Sequence, residues 1–341
     1  MQLLIIQSAI NAVAATAIYF FVVKKRGTTI AYLIGYGVIC PILVLAPFEL
    51  ARYLTLSNMS MFVGLTAPAS ILFFRCMMAI HGTNEQFVER DLQNYVLFYL
   101  APLQFNFDPK TGEVMSSSSK LLRIKGTKLL HLMLILPIVL GILQQYDYEI
   151  FPRQEIKTFV DFFYWANILN NYAMAYLTGI CLQAGTLGVG FLIELLSGKS
   201  VIELSDAPLT ASSSPSDFWS QRWNRLVHLV LKRAVYMPLQ NNGISKQLSA
   251  LATFGASGLL HEYVLTALAF KHVLLKDHTA YVPRYGMHLY FFLWNGIVLI
   301  LESIFYKHPI FQWMKTTLPR PLLTMTVLMT VLPIGHWFTG T

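Results

Sequence analysis

Apolar residues gather in runs of membrane-spanning length, set apart by two long polar stretches and several short loops. The runs cover about Leu3–Val23, Thr29–Leu45, Met61–Ile80, Lys128–Leu143, Phe159–Leu196, Ser245–Val273, Gly286–Phe305 and Pro321–Trp337. A helix needs about 20 predominantly apolar residues to cross the hydrocarbon core, so the pattern predicts about eight crossings. The fold class is therefore all-α, a polytopic membrane protein with interfacial amphipathic helices beside the spans. Phe159–Leu196 is too long for one plain crossing and holds Asn167, Asn170, Asn171, Gln183 and a series of glycines ending at Gly190. It reads either as two crossings or as one crossing followed by a bent or re-entrant element, because polar backbone at membrane depth survives only where protein or water satisfies it.

Composition agrees with that pattern. The chain is 55% hydrophobic and 12% charged, against about 25% charged residues in soluble domains, and its mean hydropathy is +0.53. No period of repetition is visible, so residues 1–341 read as one integral-membrane domain with its chemistry concentrated in 217–263. The first run ends on Lys24-Lys25-Arg26. Charges that follow an apolar run, with no small-residue cleavage site, describe a retained anchor. The positive-inside rule then puts this loop in the cytosol and the N-terminus across the membrane.

The polar stretches sharpen the topology. The first, about His81–Thr127, contains the aromatic-rich Tyr95–Phe107, a serine tract at Ser116–Ser119 and a basic cluster of Lys120, Arg123, Lys125 and Lys128. The second, about Ser197–Leu239, opens on the Ser/Pro-rich Ala211–Ser216 and ends with Arg222, Arg225, Lys232 and Arg233. Both read as cytosolic. The late loops, Lys271–Arg284 and Lys307–Arg320, are both basic and leave the orientation of the last two spans open. The net charge of +8 would suggest nucleic acid in a soluble chain. Here the basic residues cluster beside spans, so anionic headgroups or a phosphate-bearing cytosolic substrate fit instead. Cys40, Cys76 and Cys181 lie in apolar runs without paired spacing and read as buried hydrophobes. Asn58-Met59-Ser60 is a glycosylation sequon that sits too close to the membrane to be used.

Two blocks hold candidate chemistry. Ser257-Gly258-Leu259-Leu260-His261-Glu262-Tyr263 lies near the middle of an apolar run, where a charged residue costs about 2.5–3.5 kcal/mol on insertion scales. The pair must face a cavity or a partner. His261 suits a general base: burial favours its neutral form, and a nearby carboxylate stabilises the cation formed when it takes a proton. An interhelical hydrogen bond is the competing explanation for a histidine at this depth. Glu262 points about 100° away from His261 on a helix and is expected to support it, while Ser257 lies one turn earlier on the same face. Metal ligation has no His-Glu-x-x-His spacing behind it, and a serine nucleophile has no Gly-x-Ser-x-Gly elbow.

The other block is Asp217-Phe218-Trp219-Ser220-Gln221-Arg222-Trp223-Asn224. It reads as an amphipathic element at the cytosolic edge, with Phe218 and Trp219 at headgroup level, Trp223 on the face of Trp219, and Arg222 and Arg225 available to phosphates.

Together the blocks resemble those of the membrane-bound O-acyltransferases, and within them the plant and algal wax synthase branch, whose Phe-Trp-x-x-Arg-Trp-Asn signature is matched at 218–224. His261 follows Asn224 by 37 positions, and length and multi-span layout are also similar. The family's usual glycine after Phe-Trp is Ser220 here. The resemblance implies that His261 is the catalytic base and Asn224 the second active-site residue, with Trp223, Glu262 and Ser257 supporting. It implies transfer of a fatty acyl group from acyl-CoA, as co-substrate, to a long-chain alcohol, with no further cofactor and no metal. Arg222, Arg225, Lys232 and Arg233 are expected to line a cytosolic entrance for the coenzyme phosphates. A sterol, a diacylglycerol or a terpenoid alcohol is the alternative acceptor, since pocket shape leaves no motif. A proton-coupled transporter is the rival of another class. Expected partners are fatty acyl-CoA, a lipid alcohol and membrane lipids, not nucleic acid; the expected compartment is the endoplasmic reticulum membrane.

Overall fold

A computed structural model describes residues 2–53, 59–85, 87–108, 110–269, 276 and 283–339. In chain order the principal helices are α1 (Gln2–Ile18), α2 (Thr29–Ile34), α3 (Cys40–Tyr53), α4 (Met59–His81), α5 (Leu92–Leu100), α6 (Ser119–Gln145), α7 (Trp165–Ser197), α8 (Arg225–Leu231), α9 (Lys246–Leu268), α10 (Met287–Phe305), α11 (Pro309–Thr317) and α12 (Arg320–Leu328). Only isolated bridges such as Phe107 with Val114 represent extended pairing among the described residues. The chain is an all-α polytopic membrane protein. Among the described residues, Ile6–Val23, Thr29–Tyr53, Ser119–Gln145, Trp165–Ser197, Met287–Phe305 and Arg320–Phe338 are long and apolar enough to cross a membrane, and Leu65–His81 is a shorter apolar helix. The sequon residue Asn58 and the end of the expected Ser245–Val273 run fall outside the described residues.

Helix starts follow local capping rules. The hydroxyls of Thr28, Ser118 and Ser245 accept the backbone N–H groups of Ala31, Leu121 and Leu248, and the Asp91 carboxylate accepts that of Asn94. Each satisfies a donor that the first helical turn cannot. α7 ends on Gly198 in the left-handed region, which a residue without Cβ adopts at no steric cost.

The chain divides into two compact units. The first comprises Met1–Gln104, Pro109–Glu113 and Leu229–Leu289, and so holds α1–α5 and α9. Its buried Arg75 donates from Nη1 to the carbonyls of Phe98, Tyr99 and Ala101. Those are the orphan acceptors at the end of α5, an element hidden inside the aromatic-rich part of the first polar stretch. Cys40 and Cys76 are buried and carry no disulfide.

The second unit comprises Phe105–Asp108, Val114–His228 and Tyr290–Thr341, built around α6, α7, most of α10, α11 and α12. The asparagines of α7 do not break it. Asn167 and Asn170 exchange hydrogen bonds with the backbone of Gln154 and Phe151, and Asn171 donates to the Leu332 carbonyl. The polar groups are spent on pinning neighbouring loops, so 33 residues run on as one helix of about 50 Å. That decides the sequence ambiguity in favour of one long helix, longer than a hydrocarbon core of about 30 Å.

Two expectations are corrected here. Lys125 is buried and its Nζ donates to Glu194 Oε1 at 2.5 Å and to the Val201 carbonyl at 3.0 Å, so it serves the interior and not headgroups. Cys181 is exposed on α7, where an apolar solvent such as lipid accepts a thiol as readily as a protein core does.

Candidate active site

The tryptophan block belongs to the second unit and is not one amphipathic helix. A short helical turn, Pro215–Asp217, capped by Ser214, widens into a π-type turn over Phe218–Arg222. The chain is extended at Trp223, and Asn224 enters the left-handed region at φ +38° before α8 begins. The bend is clamped from inside. Asp217 Oδ2 accepts from the Ser213 backbone N–H (2.9 Å), the Ser213 hydroxyl (3.0 Å) and Arg222 Nε (2.8 Å). Arg222 Nη1 also donates to the Asp206 carbonyl at 3.0 Å. Desolvation alone would raise the Asp217 carboxyl, but the Arg222 and Ser213 hydrogen bonds overcome it and hold it below the usual carboxylate range. The arginine of the signature therefore shapes the turn.

The aromatic residues face inward, against the expectation of headgroup-level rings. Phe218 is 3% exposed and stacks on Trp223 at 5.6 Å, with Trp219 edge-on at 5.0 Å. Trp219 Nε1 donates to Asn295 Oδ1 at 3.2 Å on α10, the partner a buried indole requires. Together Trp219 and Trp223 wall a partly open, mostly apolar pocket, which Phe291, Phe292 and Phe338 also line and to which Asn171 and Thr178 add polar atoms. Sequence reasoning missed this cavity, because its far wall comes from α10 and from residues beyond α12.

Asn224 caps α8. Its Oδ1 receives the Val227 N–H at 3.4 Å, and its own carbonyl that of His228 at 3.1 Å. The side-chain amide Nδ2 is left as a donor without a partner among the described residues. Asparagine is one of the few residues that tolerates φ above zero, so this position needs both its backbone and its side chain.

The histidine block belongs to the first unit, on α9. His261 is half-buried, and its ring stands edge-to-face with that of His288 in the first turn of α10, centroids 6.0 Å apart. Glu262 Oε1 accepts the N–H groups of Gly286 (3.0 Å) and Leu289 (3.1 Å), while its Oε2 is buried with no hydrogen-bond partner among the described residues. It thus caps α10, a carboxylate at the positive end of a helix dipole. Ser257 is buried beside Gly258. A Cβ on Gly258 would lie 2.7 Å from the Leu289 Cα, so the block's glycine is what lets the two segments approach. Tyr263 donates to the Val44 carbonyl at 3.0 Å. His288 was not singled out in the sequence, and it lies outside both blocks.

The basic residues separate into two kinds. Arg222 is held by Asp217 and Asp206. Arg233 pairs with Glu85 and donates to the Thr83 carbonyl. Arg225 is half-buried and Lys232 exposed, and neither forms an ion pair among the described residues.

Residues 203–297 match the model of the Membrane bound O-acyl transferase family, a segment that contains both blocks, His261 and His288. Among curated proteins, the chain is 34% identical over 135 residues to "Probable long-chain-alcohol O-fatty-acyltransferase 2" of Arabidopsis thaliana, covering 38% of this chain and 35% of that protein. It is 30% identical over 124 residues to "Acyl-CoA--sterol O-acyltransferase 1" of the same plant, covering 35% and 33%. It is 44% identical over 55 residues to "Probable sterol O-acyltransferase 2" of Schizosaccharomyces pombe, covering 16% and 11%. The matched stretch spans about a third of the length of the first two relatives. Over 203–297, then, this chain is similar to the membrane bound O-acyl transferase family.

Proposed function

We propose that this protein transfers a fatty acyl group from acyl-CoA to the hydroxyl of a long-chain alcohol, forming a wax ester and releasing coenzyme A. The observation that supports it most is the coincidence of both chemistry-bearing blocks with the family segment 203–297, whose relatives include long-chain-alcohol O-fatty-acyltransferases. In this reading neutral His261 removes the alcohol proton as the oxygen attacks the thioester carbonyl, because an unassisted alcohol is too weak an acid to ionise first. The proton then passes to the departing thiolate. Asn224 donates its side-chain N–H to the carbonyl oxygen as negative charge develops there, a contribution of roughly 2.7–4 kcal/mol where such donors have been removed.

The cavity beside Trp219 and Trp223 fits an apolar chain, since its walls are aromatic and few polar groups suffice to orient a bound lipid. Arg225 and Lys232, which have no carboxylate partner among the described residues, are the basic residues assigned to coenzyme phosphates. The endoplasmic reticulum is the proposed membrane, where cytosolic acyl-CoA meets membrane-dissolved alcohols.

A sterol acceptor is the second reading, favoured by the two sterol O-acyltransferases among the relatives. Membranes containing the protein, supplied with labelled acyl-CoA and in turn a long-chain primary alcohol, a sterol, a diacylglycerol or a terpenoid alcohol, separate the acceptors by the ester formed. Labelled wax ester as the main product supports the first reading. Labelled sterol ester in its place supports the second, and no ester from any acceptor contradicts both.

A further inference from the structure

Three members of the histidine block converge on the first turn of α10. Gly258 admits the Leu289 Cα to a distance that any Cβ would forbid. Glu262 binds the N–H groups of Gly286 and Leu289, the residues on either side of the Met287-His288 pair. Gly286, at φ +91°, turns the chain into that helix. The outcome is the His288 ring edge-to-face with His261, itself buried at 9% exposure.

We propose that His288 is a positioning residue for His261, and that Gly258 and Glu262 serve to seat it there; the inference rests on the acyl-transfer reading above. When His261 takes the alcohol proton its ring becomes cationic. A neighbouring imidazole fixed in advance by the Glu262 cap presents a dipole to that developing charge without reorganising. It also limits the rotation of His261, whose nitrogen must stay within hydrogen-bond reach of the alcohol. Protons balance without His288: the O–H bond breaks as the new C–O bond forms, the proton rests on His261, and it leaves on the coenzyme sulfur as the C–S bond breaks. His288 neither gains nor loses a proton over the cycle, so its effect falls on rate.

The test measures kcat and the KM for acyl-CoA in membranes carrying equal amounts of wild type, H288F, H288N, E262A and the double variant E262A/H288F. Wild type must form ester for the underlying reading to stand; its inactivity would overturn that reading and not the role of His288. With wild type active, H288F keeps a ring of similar shape but no nitrogen. Its kcat is expected to fall by on the order of ten- to a hundredfold, as for a small displacement of a reacting group, at unchanged KM. H288N should recover part of the rate. E262A, which leaves both histidine side chains in place but releases the α10 cap, should resemble H288F. The double variant should then be no worse than the poorer single one, since the two act through one element. Wild-type kcat in H288F, a raised KM at unchanged kcat, or additive losses in the double variant would overturn the inference.

Discussion

At the scale of single residues, the signature's polar members divide into those that build the bend and those left for a ligand. Asp217 and Arg222 build it. Because hydrogen bonds hold the folded Asp217 carboxyl below its ordinary range, its contribution to stability is fully present above about 3.9, the reference value for aspartate. It is lost as pH falls through the depressed folded value. Tryptophan fluorescence of the solubilised protein, followed through an acid titration, should therefore report loosening around Trp219 and Trp223 only below the usual aspartate range. In D217N the loosening should already be present at neutral pH. Asn224 is the member proposed to meet the substrate. N224D keeps the oxygen that caps α8 and the tolerance for φ above zero, but replaces the amide donor. Expected is a wild-type level of folded protein with kcat lower by on the order of 10²–10³; a change confined to KM would restrict Asn224 to binding. The role proposed for it rests on the signature, because neither hydropathy nor spacing marks an asparagine at the start of a short helix.

At the scale of elements, the hydrophobic pattern located the helices well and their ends less well. Caps at Thr28, Ser118 and Ser245 explain where α2, α6 and α9 begin. The pattern failed where polar side chains bind backbone from another segment, as at Asn167, Asn170 and Asn171, since a sequence shows the polarity but not the loop that satisfies it. For the same reason the buried Arg75, which caps α5, goes unmarked inside an apolar run, and Lys125 reads as part of a basic juxtamembrane cluster until its partner Glu194 is known. The Gly258 contact is an element-scale device, and G258A tests it. Added to the Leu289 backbone at 2.7 Å, one methyl must push α9 from the start of α10. The expected result is loss of most activity together with lower thermal stability of the purified protein, by about 1–3 kcal/mol as for overpacking. G258A with wild-type stability and rate would mean that the two segments have room to spare.

At the scale of the whole molecule, the chain presents two compact units, each with its own share of membrane-length helices. α11 carries exposed Phe311 and Trp313 with Lys315, the composition of a helix lying in the interface. Fold class was legible from composition and run length alone, because only helices or closed barrels satisfy the backbone in lipid, and the runs have helical length. The count of crossings was less so: α9 became a 23-residue helix that carries serine, threonine, histidine and glutamate, and it lies outside the set apolar enough to span by composition. What no pattern could disclose is the pairing of His261 with a histidine 27 residues further on, or a cavity whose walls are supplied by well-separated stretches of chain.

The central claim is that His261 takes the proton of an alcohol during acyl transfer. The most direct measurement is the rate of ester formation from labelled acyl-CoA and a long-chain alcohol, in membranes holding equal amounts of wild type and H261A. The account predicts that H261A accumulates and inserts as wild type does, yet forms ester at least on the order of 10²-fold more slowly. Ester formation by H261A at the wild-type rate would contradict it.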